Sequence, residues 1–337
     1  MPVQTIHYTP EWHSRLLEYM KSVFPHRNPD FLNWWITNID HSDVDCWQKC
    51  LIILENDSII GCTTANLVDF CHQNKTESFF FRGNTIISPD QRGKGISKEI
   101  YNRVNSYNNW ISVGITDIAW KIQPKYVKNF TSIRPINVYI GLNRNVICQL
   151  LRKILHKSGS LQSEFSFPPE LKMNGSDKIC RVRNVSELEI PDNGHWTTDE
   201  LEPVRDEEFI KKRFFDIYCA QRYAIYQYIA ENKCIGYVIL RKALYKGLEM
   251  ISLVDYRFHS RKDEIKAFKV ASKLARKNHI GLVIALSSRN YGSCLTSFIV
   301  KMKKKLNCAI GSKDYCDKFN KVLFTSADSD LDFVYYK

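Results

Sequence analysis

No part of this sequence stays apolar for long. Runs such as Leu51 to Leu54 and Leu282 to Leu286 fall far short of the ~18 to 20 residues a helix needs to cross a bilayer, so membrane insertion is not expected. The opening Met1-Pro2-Val3-Gln4-Thr5 has neither the basic nor the apolar segment of an export signal, which points to the cytoplasm. Paired metal ligands are missing as well. The 11 cysteines are odd in number, and none are spaced Cys-x-x-Cys, Cys46 and Cys50 coming closest. Reduced thiols are therefore expected rather than a disulfide framework or a zinc site, and no metal is assigned. No Gly-Lys-Ser/Thr closes a P-loop, and the three spaced glycines of a dinucleotide fingerprint are absent.

What remains is a chain of 337 residues, long enough for two cores of roughly 150 residues each. A composition of 44% hydrophobic and 25% charged residues suits a globular protein. The net charge of +12 suits an anionic ligand, a nucleotide or an acidic surface equally and chooses none of them. The run Lys303-Lys304-Lys305 falls where Leu295, Phe298, Ile299, Met302 and Leu306 recur at helical spacing. It reads as the solvated face of an amphipathic helix rather than a nucleic-acid patch.

Periodicity then orders the elements. A strand at Thr5 to Tyr8 precedes a helix from about Pro10 and a second at Pro29 to Ile39, with Trp34 and Trp35 facing inward. Three β-rich runs follow, Cys50 to Leu54, Ile59 to Leu67 and Phe79 to Ile87, the first two joined by the turn Glu55 to Ser58. A helix opens after Gly95. Next come a strand at Trp110 to Ile115, a helix at Asp117 to Tyr126, a strand at Pro135 to Ile140 and a connecting helix at Arg144 to Lys157. Ser158 to Asn193 is rich in chain breakers. Beyond it the order recurs: a helix at Asp206 to Tyr218, strands at Tyr223 to Ala230, Cys234 to Arg241 and Glu249 to Asp255, and a helix at Asp263 to Lys277. A strand at Gly281 to Leu286, a helix at Gly292 to Leu306 and a strand at Lys321 to Thr325 complete it. The fold class expected is α/β (α+β): two similar units, each a mostly antiparallel twisted sheet flanked by helices. Their boundaries are placed at 1–143 and 196–337, with a linker helix and inter-domain segment at 144–195.

Arg92-Gly93-Lys94-Gly95-Ile96-Ser97 follows a strand and the turn Ser88-Pro89-Asp90-Gln91 and starts an amphipathic helix. Such a junction presents bare backbone N–H groups at the positive end of a helix, which suits a pyrophosphate. Arg92 and Lys94 add charge, and the glycines permit close approach. With Gly61 and Ile87 to Ile100, this loop resembles the GNAT (GCN5-related) N-acetyltransferase family. That family's Gln/Arg-x-x-Gly-x-Gly/Ala pattern falls on Arg92, Gly95 and Ser97, Ser97 being a departure. A weaker likeness extends over residues 1 to 140, including Trp34-Trp35 and Ile60-Gly61.

The resemblance implies an acyl-CoA-dependent N-acyltransferase, with acetyl-CoA or another acyl-CoA as co-substrate held by Ile86, Ile87 and Arg92 to Ser97. It implies direct transfer to an amine, an oxyanion held by amides near Thr85 to Ile87, and a tyrosine that protonates the departing thiolate. Tyr126 is the nearest match to that tyrosine, although Asn129 replaces the usual glycine and Pro124 interrupts the helix. Among Asp69, His72 and Glu77, which flank the strand, Glu77 is the candidate base. His259 to Glu264 occupies the equivalent turn of the second unit without glycine, so that unit is not expected to hold CoA. Phe324 to Asp332 and Arg205 to Phe209, with Arg213-Phe214, resemble tandem-GNAT proteins of bacterial surface-polysaccharide biosynthesis. Asp255, Asp328 and Asp330 are then candidates for binding a small amine such as an amino sugar or sugar nucleotide. A protein lysine is the second acceptor, and a non-catalytic scaffold or acyl-CoA sensor is the rival reading.

Overall fold

The computed structural model describes residues 3–25, 27, 29–37, 50–72, 75–155, 166–191, 200–215, 223–245, 248–291, 299–312 and 322–328. Its first elements are β1 (Gln4–His7), α1 (His13–Val23), α2 (Pro29–Thr37), β2 (Leu51–Glu55), β3 (Ser58–His72), β4 (Lys75–Ile87) and α3 (Ile96–Val104). Next stand β5 (Asn109–Ile115), α4 (Asp117–Tyr126), β6 (Phe130–Leu142) and α5 (Asn145–Leu155). The later chain adds β7 (Glu170–Lys172), β8 (Lys178–Val182), β9 (Glu202–Pro203), α6 (Glu207–Ile210), β10 (Tyr223–Ala230) and β11 (Lys233–Tyr245). It closes with β12 (Leu248–Phe258), α7 (Ile265–Lys277), β13 (Leu282–Ser287) and β14 (Ile299–Ser312). No helix among the described residues is long and apolar enough to cross a membrane.

These elements form two compact units. The first comprises Met1–Pro135, Asp199–Pro203 and Leu306–Val322; the second comprises Ile136–Thr198, Val204–Lys305 and Leu323–Lys337. Two segments of the later chain thus belong to the first unit, so neither unit is one continuous stretch.

In the first unit the strands run in the order β1-β2-β3-β4-β5-β14. Apolar Leu51 to Leu54 are buried and place β2 inside the sheet. Asn56 and Asp57 take φ of 51° and 61° and so build the tight β2–β3 hairpin. β3 and β4 pair antiparallel along most of their length. The chain then crosses through α3 and returns as β5, parallel to β4. Ile96, Ile100 and Val104 of α3 bury against Trp110, Ile53 and Ile60, the apolar stripe that the four-residue spacing foretold. β5 is completed on its other side by Asn307 to Ser312 of β14, antiparallel.

The second unit repeats this plan. Its strands include β10, β11 and β12 as an antiparallel meander, with Glu231 and Asn232 at φ of 49° and 61° in the β10–β11 turn. α7 carries the chain back to β13, parallel to β12. Residues Asn137 to Leu142 of β6 then pair antiparallel with β13. Ala267, Phe268, Ala271 and Leu274 of α7 close the core over Val238, Leu253 and Ala285. The expected α/β (α+β) class, with mostly antiparallel sheets and flanking helices, is what the chain adopts.

Three expectations for individual elements fail. The helix expected at Gly292 to Leu306 is instead the strand β14 from Ile299 onward, residues 292–298 lying outside the description. β14 takes its place in a sheet whose neighbouring strands lie far back in the chain, and such long-range pairing overrides the local helical spacing. The strand expected at Lys321 to Thr325 is reduced to two isolated bridges, Leu201 with Val322 and Ser287 with Thr325. Pro124 does not interrupt its helix: α4 runs through it to Tyr126 and closes with Val127 N–H donating to Gln123 O at 2.8 Å.

Candidate functional site

The glycine loop lies in the first unit, between the end of β4 and the start of α3. Ser88 N–H donates to Ile60 O at 2.9 Å, and Pro89 to Gln91 form a single 3-10 turn whose Gln91 N–H returns to Ser88 O. Gly93 and Gly95 then take φ of +85° and +82°, a left-handed geometry that a side chain opposes, and a Cβ at either would meet nothing within 4 Å. Gly95 is the N-cap of α3 and offers no side-chain cap. The amides of Gly93 to Ser97 donate no hydrogen bond to any described residue. They open onto space at the positive end of a nine-residue helix.

Side chains hold this loop from beneath. Buried Gln91 donates through Nε2 to Glu55 Oε2 at 2.9 Å and to Asp90 Oδ2 at 3.2 Å, while its Oε1 accepts from Lys94 Nζ at 2.9 Å. Arg92 Nε donates to Ile87 O at 3.2 Å, so this guanidinium lies against the end of β4. Ser88 Oγ donates to the Tyr19 hydroxyl at 3.2 Å, and burial pushes the pKa of that hydroxyl up to about 12. Gln91 and Tyr19 were not singled out in the sequence. Tyr19 belongs to the apolar stripe of α1 and Gln91 to a polar turn, so neither pattern marks a residue packed under a loop.

Beside the loop the sheet opens. β4 and β5 pair from Phe80/Trp110 to Arg82/Ser112 and no further, although β4 continues to Ile87 and β5 to Ile115. A bulge explains the parting. Opposite Thr63, between the pairs Cys62/Ile86 and Thr64/Gly83, β4 carries the two residues Asn84 and Thr85, which bend it away. The Thr63 and Thr85 hydroxyls lie 2.9 Å apart across the bulge, and Trp35 Nε1 donates to Thr64 Oγ1 at 3.0 Å. Ile86 and Ile87 therefore stand on a strand edge that β5 does not cover.

Tyr126 ends α4, part-buried against the same core as α3, with Lys98 Nζ 5.7 Å from its ring centroid. Asn105 Nδ2 donates to Tyr126 O at 2.9 Å and ties the end of α4 to the end of α3. Asn129 takes φ of +54°, the conformation that the replaced glycine adopts freely. The structure thus brings the Tyr126 ring near the end of the Lys98 side chain, while its backbone is tied to the C-terminal end of α3. It does not bring Glu77 to the loop: Glu77 pairs with Phe70 ten residues before Ile87, about 33 Å along β4 at roughly 3.3 Å per residue.

Asp255 and Asp328 belong to the second unit, where both are buried around Arg205. Arg205 Nε lies 3.0 Å from Asp255 Oδ2, and its Nη2 lies 2.6 Å from Asp328 Oδ1. Burial opposes the charge of Arg205, yet the two carboxylates hold its pKa above the usual value. The Tyr237 hydroxyl donates to Asp255 Oδ2 at 2.9 Å, and Thr325 Oγ1 donates to Asp255 Oδ1 at 2.6 Å. Asp330 lies outside the described residues. The second unit also has a bulge, between Leu253 and Asp255 of β12, at which the β12–β13 ladder ends. Beyond that point its side chains meet one another. The Tyr256 hydroxyl donates to Ser287 Oγ at 3.1 Å and lies 2.6 Å from the Tyr291 hydroxyl, which donates to Glu264 Oε2 at 2.9 Å. Glu264 in turn pairs with Arg289, and Ser260, not glycine, caps the turn that leads to α7.

No protein-family model matches the sequence, and neither does any curated protein. Solved structures do share its fold. A GCN5-related N-acetyltransferase from Anabaena variabilis aligns at a TM-score of 0.58 and 9% identity, covering 92% of this chain and 72% of the other. A probable N-acyltransferase from Enterococcus faecalis aligns at 0.55 and 11% identity, covering 92% and 72%. Saccharomyces cerevisiae N-myristoyltransferase, in a structure with bound myristoyl-CoA and inhibitors, aligns at 0.55 and 14% identity, covering 93% and 81%. The chain therefore has the fold of these acyltransferases.

Proposed function

We propose that the first unit binds an acyl-CoA and transfers its acyl group directly to an amine. One observation carries this reading: unbonded amides from Gly93 to Ser97 open onto space at the start of α3, beside the gap between β4 and β5. Two observations support it: a Cβ at Gly93 or Gly95 would meet nothing within 4 Å, and the amide donors have no other partner among the described residues. Those amides would hold the diphosphate, with Arg92 and Lys94 adding positive charge.

Bound there, the co-substrate supplies an activated thioester. Backbone amides on the uncovered edge near Thr85 to Ile87 are the proposed holders of the carbonyl oxygen as it gains negative charge. The amine nitrogen bonds to the carbonyl carbon, the carbon–sulfur bond breaks, and the nitrogen loses a proton while the thiolate gains one. Tyr126 is the proposed donor to the thiolate, and water takes the proton from the amine, because Glu77 stands too far along β4 to receive it. A small amine such as an amino sugar or sugar nucleotide is the proposed acceptor, with a protein lysine second. In this reading the two units descend from one duplicated unit, and the second holds no CoA because Tyr256, Tyr291 and Glu264 fill its gap.

The distance of Glu77 favours one other reading, a module that binds acyl-CoA without transferring it. Calorimetry with CoA tests the binding and an acyl-transfer assay separates the two. Heat of binding that Gly95→Glu abolishes supports the site; no heat with the parent chain overturns it.

A further inference from the structure

Arg82 is buried in the core of the first unit with only 3% of its surface exposed, and no acid among the described residues pairs with it. Its Nε and Nη1 have no hydrogen-bond partner among the described residues, and its guanidinium lies 4.8 Å from the centroid of the Trp110 ring. The groups that act on its charge are the Tyr101 and Tyr107 hydroxyls, against a burial that works to neutralise it. A guanidinium cannot discharge itself as a buried lysine does, so an isolated one in a protein interior is strongly unfavourable until an anion meets it.

Its place in the sheet indicates which anion. Arg82 and Ser112 form the last ladder pair before β4 and β5 part, so Arg82 stands at the closed end of the gap. From Ile87 beside the loop to Arg82 is five residues along β4, about 16 Å at roughly 3.3 Å per residue. A chain anchored at the loop and laid along this edge points its far end at Arg82. A neutral acetyl group would leave the guanidinium unpaired, whereas an acyl group ending in a carboxylate would offer two acceptors to its planar donors.

We propose that Arg82 makes the first unit selective for acyl-CoA whose acyl group carries a terminal carboxylate. This rests on the acyl-CoA reading of the loop. Arg82 is here a specificity residue for the acyl donor and takes no part in the proton transfers.

Calorimetry on the full chain with CoA, acetyl-CoA and succinyl-CoA tests it. Succinyl-CoA is expected to bind about tenfold or more tightly than acetyl-CoA, the effect of a charge-assisted hydrogen bond in a buried site. Arg82→Met should erase that difference while leaving CoA itself bound, and should melt no lower than the parent without ligand, since it removes an unpaired charge. Equal affinity of the parent for acetyl-CoA and succinyl-CoA overturns the proposal while the acyl-CoA reading stands, and this comparison decides even if Arg82→Met fails to fold. Failure of all three compounds to bind overturns both.

Discussion

Arg205 Nη2 donates to Asp328 Oδ1 at 2.6 Å inside the second unit, where both side chains are almost wholly buried. With Asp255 on its Nε, the guanidinium is held between two carboxylates that Tyr237 and Thr325 help to orient. The arrangement is stabilising as a set, and removing one carboxylate leaves buried hydrogen-bonding groups without a partner.

Asp255→Asn is therefore expected to destabilise the protein by about 1 to 3 kcal/mol, read as a lower urea midpoint. Its affinity for CoA should match the parent, since the cluster belongs to the second unit and the glycine loop to the first. Unchanged stability together with a raised KM for the amine would instead assign Asp255 to the acceptor.

Gly95 tests the loop conformation. At φ of +82°, with open space around its Cβ position, Gly95→Ala meets no clash and pays only the left-handed backbone strain. A loss of about 1 to 2 kcal/mol in thermal or urea unfolding is expected. A neutral result would show that the turn relaxes to another conformation.

Tyr126→Phe keeps the ring that packs beside α3 and removes only the hydroxyl. If that hydroxyl protonates the thiolate, kcat falls by about a hundredfold with little change in the affinity for CoA. A parent-like kcat would leave Tyr126 as a packing residue.

The cysteines differ in reactivity by their placement. Burial pushes the Cys62 thiol up to about 12, so it stays protonated and shielded at pH 8, whereas Cys148 is exposed on α5. Brief iodoacetamide treatment of the native protein, followed by peptide mass spectrometry, should label Cys148 and spare Cys62. Equal labelling would mean that β3 opens readily.

Much of the fold was legible because local signals carried it. Helix α4 begins after Thr116, whose side chain accepts from Ala119 N, and ends at Tyr126 where its pattern ends. Strand β10 occupies Tyr223–Ala230, its apolar run bounded by a turn that needs left-handed residues. The glycine loop was legible for the same reason, since two nearby glycines before an amphipathic helix state their backbone conformation directly. Lys301 to Leu306 misled, because their helical spacing is local, whereas the sheet in which β14 lies takes its neighbouring strands from far back in the chain.

The sequence by itself determined the strand–loop–helix junction at Arg92 to Ser97 and the mixed α/β class, because turn chemistry and hydrophobic period act between neighbours in the chain. Only the tertiary structure decided that Asp255 and Asp328 clasp Arg205, that Glu77 is remote from Ile87, and that Arg82 is buried where β4 and β5 part with no acid beside it among the described residues. Each of these depends on which distant strands share an edge and on what burial leaves beside a charge, quantities that no local pattern encodes.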